Sequence, residues 1–292
     1  MSSPPAASLT RWHASLHHVT VAGRRMHYLD AGSGPPVLLV HGIGCDWTHW
    51  SANLDALTQA HRVIAVDMPG FGASEALSPK SELAATGDAV LALMDALEIP
   101  RFAMVGHSLG GLISWLVTAA APERVTALGL VDAATVELTP LQSRAIVRGF
   151  TLGGHSLAHP GVARAILRRP RLRRLVLASF FADITGVSAE LAVALLTPLT
   201  VAPGFHDALA AGARAISQLR PEELQTPTLI VWGTKDPVFT VGAARRLAAR
   251  MPQAMLLEIP GARHWAMLER PELFNPALLE FLAANELCRR GG

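Results

Sequence analysis

The residues of this chain best suited to chemistry are one serine, one histidine and two aspartates, spread over the last two thirds of its length. Ser108 lies in Gly106-His107-Ser108-Leu109-Gly110, a G-x-S-x-G pattern. A serine hydroxyl is a weak nucleophile at neutral pH unless a base takes its proton and an acid orients that base. His264, in "IPGARHWAMLERP", is the leading base: it follows the last apolar run and precedes the last helical pattern. Its competitors are less well placed. His13, His17 and His18 lie in or near an opening hairpin, His61 precedes a strand, and His155, His159 and His206 fall in a stretch without strands. Two carboxylates qualify as the acid, Asp236 in "VWGTKDPVF" and Asp132 in "LGLVDAA". Both keep the order Ser, Asp, His, so order does not choose between them. The turn-prone Asp-Pro step and its Gly-Thr-Lys surroundings favour Asp236, which leaves Asp132 as a structural residue at the pocket edge.

Attack on a carbonyl also needs donors aimed at the oxygen where negative charge develops. Leu109 N–H, directly after the serine, supplies one. The second is expected from "HGIG" at 41–44, with Ile43 N–H first and Gly44 next. His107 and Trp265 flank the serine and the histidine and are expected to bind substrate, although Trp265 is equally placed to pack under the last helix. Cys45, just past the donor loop, reads as a small buried residue with no base assigned to it. Cys45 and Cys288 form no disulfide framework and have no metal-ligand spacing, and the chemistry requires no metal and no organic cofactor.

These residues need elements to position them. "VLLV" (37–40), "RVIAVD" (62–67), "FAMVG" (102–106), "ALGLVD" (127–132), "TLIVWG" (228–233) and "MLLEIPG" (255–261) are continuous apolar runs of strand length, as in a parallel sheet covered on both faces. Between them 46–59, 80–97, 109–122, 241–250 and 271–287 read as helices, and "HHVTVAG" with "RRMHYLDAG" as an antiparallel hairpin. Alternation of this kind gives an α/β fold. The G-x-S-x-G pattern falls where a strand meets a helix, the turn that lifts a serine hydroxyl above a sheet. From about 134 to 222 no strand is visible, only Ala/Leu/Arg-rich helical pattern, far longer than an ordinary connection. The expected division is a core of 1–133 and 223–292 with a helical lid at 134–222.

Half of the 292 residues are hydrophobic and the net charge is +2, enough for a large core and too little to argue for nucleic acid. No uncharged stretch reaches the ~18 residues of a membrane span and no secretion signal opens the chain, so a cytoplasmic protein without stable membrane insertion is expected, as a monomer or homodimer. The first residues, Pro-, Ser- and Ala-rich, are expected to be frayed. "RRPRLRRL" at 168–175 places five arginines in the lid; it reads as a solvated helix face, with an anionic substrate or lipid as the sharper possibility.

Taken together, "HGIG", "DMPGFGAS" (67–74), "GHSLGG", "GTKDP" and "GARHW" resemble the α/β-hydrolase superfamily in order and spacing, from about residue 20 to 285. The resemblance implies an eight-stranded, mostly parallel sheet, a helical cap after the sixth strand, and a triad of Ser108, Asp236 and His264. Serine at the nucleophile position argues against haloalkane dehalogenases and epoxide hydrolases, which carry aspartate there. Carbon–carbon bond hydrolases often show "HGxGPG" and an asparagine before the serine, where this chain has "HGIGCD" and His107. The expectation is therefore a carboxylesterase or lipase acting on small-molecule esters of small to medium acyl chains. Lactonase, carbon–carbon bond hydrolase, perhydrolase and acyltransferase activities are the alternatives, and a non-catalytic ligand binder is disfavoured by the complete Ser, Asp and His set.

Overall fold

Six short apolar runs, five of them buried and the edge strand β8 half-buried, become the parallel strands of one eight-stranded sheet, in the order β1-β2-β4-β3-β5-β6-β7-β8. The computed structural model describes residues 7–78, 83–135, 160–185, 187–200, 211–212 and 214–290. Strands β1 (Leu16–Val21) and β2 (Arg24–Gly32) form the antiparallel hairpin, and β2 pairs antiparallel with β4 (Arg62–Val66). Positive φ at both Ala22 (48°) and Gly23 (74°) gives the hairpin the tight turn that matches strand twist. The remaining strands, β3 (Pro36–Val40), β5 (Phe102–His107), β6 (Val125–Val131), β7 (Thr228–Gly233) and β8 (Ala254–Ile259), are parallel to β4.

The helices are α1 (Ala7–Thr10), α2 (Leu54–Leu57), α3 (Leu83–Ala96), α4 (Leu109–Ala120), α5 (Pro160–Leu167), α6 (Pro170–Leu177), α7 (Ala189–Thr200), α8 (Val241–Ala248), α9 (Ala266–Glu269) and α10 (Pro271–Arg290). Alternate strand residues feed opposite layers, as period-two geometry requires. Val37, Leu39 and Val105 face a core shared with α10, whereas Leu38, Val40 and Met104 face one shared with α3 and α4. Each fully buried aliphatic side chain contributes roughly 1.5–3 kcal/mol. Burial on both faces is why these strands are apolar at every position.

The helix expected at 46–59 and the frayed amino-terminal end are corrected. The stretch 46–59 is not one helix but a 3₁₀ turn, Trp47–Trp50, followed by the short α2. Asp46 caps the turn by accepting Thr48 N–H, and all four turn residues are buried, which one amphipathic helix face would not allow. The amino-terminal end is ordered earlier than expected: α1 and a 3₁₀ turn at Arg11–Ser15 precede β1. The last helix, α10, starts at Pro271 as expected, and the short α9 stands between it and the loop that carries His264.

Between β6 and β7 the described residues form α5, α6, α7 and a 3₁₀ turn at Pro221–Glu223, with no strand among them. Leu167, Leu177, Phe181, Leu191 and Leu195 join the same apolar cluster as Trp47, Trp50 and Trp265. The segments 136–159 and 201–210, including His155, His159 and His206, lie outside the described residues.

Candidate active site

The carboxyl ends of β3, β5, β6, β7 and β8 open on one edge of the sheet, and the residues singled out by chemistry lie there. At the end of β5 the chain reverses through Ser108, whose φ of 51° and ψ of −118° belong to a region that L-residues seldom occupy. Such a conformation costs about 1–3 kcal/mol and survives only when its surroundings over-determine it. They do so here. Ser108 N–H donates to Val131 O (3.0 Å), and Ser108 O accepts from Ala134 N–H (2.9 Å) and Gly111 N–H (3.0 Å). At Gly110 a side chain is impossible: a Cβ would stand 2.3 Å from the carbonyl oxygens of both Val40 and His41. The helix that starts at the serine therefore packs directly against the end of β3.

His264 connects the serine to the acid. Its Nε2 accepts from Ser108 Oγ at 3.2 Å, and its Nδ1–H donates to Asp236 Oδ2 at 2.9 Å. The other carboxylate oxygen of Asp236 accepts Val238 N–H (2.7 Å) and Phe239 N–H (3.1 Å), so the group is aimed from behind. All three side chains are buried, with residue exposures of 7% for Ser108, 6% for Asp236 and 5% for His264. A hydroxyl, an imidazole and a carboxylate are thus joined in one hydrogen-bonded row, the arrangement in which a serine proton can pass to a ring held by an acid.

Asp132 is close by but does not bond to His264. Its Oδ1 accepts Gly233 N–H (2.8 Å) and its Oδ2 accepts Ala266 N–H (3.1 Å), tying the end of β7 to α9. Complete burial, and then the Asp236 carboxylate, push its carboxyl well above the usual range.

The donor loop passes against the serine. A Cβ on Gly42 would lie 2.8 Å from His107 Nδ1 and 3.2 Å from Ser108 Cβ. Ile43 and Gly44 follow in this loop, Gly44 with φ 68°, and Cys45 N–H closes it onto Gly42 O at 3.2 Å. Leu109 opens α4, so its N–H has no carbonyl one turn back. Cys45 is free and buried, and burial raises its thiol well above the ordinary range, which keeps it protonated. Among the described residues no group of three or more His, Cys, Asp or Glu side chains is arranged to hold a metal ion.

Residues 35–271 match the family model described as alpha/beta hydrolase fold. The chain belongs to that family. It is 33% identical over 267 residues to the dihydrolipoyllysine-residue acetyltransferase component of the acetoin cleaving system of Pseudomonas putida, covering 90% of this chain and 68% of that one. It is 31% identical over 274 residues to the 2-hydroxy-6-oxononadienedioate/2-hydroxy-6-oxononatrienedioate hydrolase 2 of the same organism, covering 88% and 91%. Among solved structures it is similar to a meta-cleavage product hydrolase from Pseudomonas fluorescens, with 26% identity, a TM-score of 0.73, and coverage of 92% and 97%.

Within this α/β hydrolase, His107 and Trp265 are placed differently from what their flanking positions suggest. His107 is 1% exposed, and its Nε2–H donates to the backbone oxygen of His264 at 2.8 Å. Burial lowers its pKa well below the ordinary value, so the neutral ring holds the loop of the base instead of lining an open pocket. Trp265 is also 1% exposed. It stacks on Phe180 of the inserted segment (4.1 Å, 16°) and meets Phe181 (5.3 Å) and His49 (4.6 Å) edge to face.

Two histidines escaped the sequence reading. His41 accepts Met68 N–H on Nε2 (2.9 Å) and donates from Nδ1 to Gly42 O (2.7 Å), which fixes its tautomer and pins the donor loop. The signal was present in the "HG" pair but read only as loop backbone. His49 is fully buried, and neither ring nitrogen has a partner among the described residues. Burial, with His41 adding to it, lowers its pKa to about 3. Nothing in "DWTHW" distinguishes it from a histidine on a helix face.

Proposed function

We propose that this α/β hydrolase breaks the bond between a carbonyl carbon and its leaving group through an acyl intermediate on Ser108. The observation that carries this reading is His264, bonded through one ring nitrogen to Ser108 Oγ and through the other to Asp236. As the hydroxyl attacks, its proton passes to His264 Nε2 while Asp236 stabilises the imidazolium and holds the ring. The amides of Leu109 and Ile43 receive the developing oxyanion, each worth on the order of 3 kcal/mol. His264 then protonates the departing group, and a water activated by the same ring releases the acid from Ser108. The inserted segment 134–222 acts as the lid: Phe180 rests on Trp265, next to the base, and limits access of water.

The first bond to test is the carbon–carbon bond of a 2-hydroxy-6-oxo-dienoate. Support comes from the similarity, over about nine tenths of both chains, to a hydrolase whose name specifies such a compound. A carbanion leaves far less readily than an alkoxide, so this reaction requires the dienol to become a ketone before the bond breaks. His264 is the group placed to move that proton. The carboxylic ester is the second reading. It is favoured by "HGIGCD" and His107 in place of the glycine-proline loop and asparagine.

The test is a side-by-side assay of a 2-hydroxy-6-oxo-dienoate, p-nitrophenyl esters of increasing acyl length, and an enol lactone, with wild type and Ser108→Ala. The expected outcome is a higher kcat/KM for the dienoate, lost in the variant. A preference for esters transfers the assignment to the second reading. Equal turnover by both proteins refutes the nucleophile.

A further inference from the structure

The inserted segment carries a feature that acyl chemistry does not use. Helices α5 and α6 form a hairpin joined by Arg168 and Arg169 alone. Between residues 160 and 185 there are six arginines, at 164, 168, 169, 171, 173 and 174, against a single acid, Asp183. The chain as a whole is only +2, so positive charge is concentrated here while the remainder is net negative.

The density of these arginines sets them apart. Elsewhere several surface arginines have acidic partners, Arg245 with Glu258, Arg250 with Glu222, Arg62 with Asp30, Arg124 with Asp95 and Arg270 with Glu272, and those without an ion pair among the described residues, such as Arg101, Arg220 and Arg246, are scattered along the chain. In the hairpin Arg164, Arg168, Arg169, Arg171 and Arg174 are all exposed, and none forms an ion pair among the described residues. Asp183 binds Thr185 and feels only a weak pull from Arg174. Apolar side chains stand exposed among the same arginines: Leu175 is 73% exposed, Val162 47% and Leu172 36%. These are three of the five large apolar side chains exposed among the described residues. On their other side, Ala163, Leu167 and Leu177 are buried and fix the hairpin to the body.

We propose that the α5–α6 hairpin docks this hydrolase on an anionic membrane surface. The arginines meet the phosphate headgroups, and Leu172, Leu175 and Val162 enter the boundary between headgroups and acyl chains. Lipid is the occupant chosen because both chemistries are present together; a nucleic acid would satisfy the arginines and leave the leucines in water. No described helix is long and apolar enough to cross the bilayer, so this is attachment to the surface. The hairpin leads within three residues to Phe180, which stacks on Trp265 beside His264, so docking brings the site next to the lipid.

The experiment is co-sedimentation of the full chain with vesicles of phosphatidylcholine alone and of phosphatidylcholine and phosphatidylglycerol in equal parts. Three variants accompany it: Arg168→Gln/Arg171→Gln/Arg174→Gln, Leu172→Gln/Leu175→Gln, and Arg101→Gln/Arg246→Gln as a control on other surfaces. Wild type and control are expected to bind anionic vesicles only. The triple arginine variant should partition about 100-fold more weakly. Binding that remains in high salt, where the Debye length shrinks to about 3 Å at 1 M, should require the leucines. An unchanged thermal melt and unchanged turnover of a soluble substrate would show that each variant is folded. Equal binding to both vesicle types, wild-type binding by the triple variant, or binding to single-stranded nucleic acid without binding to vesicles would overturn the proposal.

Discussion

Asp236 and Asp132 are buried carboxylates at the ends of adjacent strands, and they differ in what their oxygens accept. Asp236 gives one oxygen to two backbone amides and the other to a titratable ring. Asp132 gives both to backbone amides, of Gly233 and Ala266. The first can respond to a proton arriving on its partner. The second fastens two segments, and neither of its oxygens bonds to a titratable side chain among the described residues. Burial and strand-end position, which the two share, do not make a carboxylate part of a reaction; an oxygen turned toward the base does.

The comparison can be tested in kinetics. The largest effect is expected from Ser108→Ala, with kcat lowered on the order of 10⁶-fold in steady-state turnover, because the nucleophile is gone. Asp236→Asn should lower kcat about 10⁴-fold, since an amide favours the wrong tautomer of His264. Asp132→Asn in the same assay should keep kcat within about tenfold, the loss of one acceptor for a backbone amide being its main consequence. Equal losses in the two asparagine variants would erase the distinction. His107→Phe removes the donor that holds the His264 carbonyl, and a kcat loss of about tenfold with little change in KM is expected.

The smallest effect is on stability and concerns a third carboxyl. Burial, then the Asp67 charge, raise Asp46 from 3.8 to about 7. A raised folded-state value means that the protonated form suits the fold, so its contribution is full at low pH and is lost as pH rises through the folded value. Asp46→Asn keeps an acceptor for Thr48 N–H and carries no charge. Chemical denaturation should therefore show the variant gaining stability relative to wild type between about pH 4 and pH 7, then levelling off. A gap that is constant with pH would contradict the assignment.

Much of this was legible from the chain alone. Strands buried on both faces leave continuous apolar runs, so β3 to β7 were visible within two residues at either end, and the half-buried edge strand β8 was visible because its run is still mostly apolar. Ser108, Asp236 and His264 could be picked out because each sits just past such a run, and the structure brings them into one row. What could not be read was set by contacts distant in sequence. The position of Trp265 depends on Phe180, and that of His107 on the carbonyl of a residue 157 positions away. The break in 46–59 follows from a cap and from burial on all sides, neither of which alters periodicity. The choice between Asp236 and Asp132 needed directions of oxygen atoms, and sequence gives only their neighbourhoods.

The bond from His107 to the His264 carbonyl has a mechanical consequence. From Ser108 through the backbone to His107, across that hydrogen bond to His264, and back through its ring to the serine hydroxyl, the linkage closes on itself. That bond ties the loop carrying His264 to the strand end that carries Ser108, and so restrains the distance between the serine hydroxyl and the imidazole.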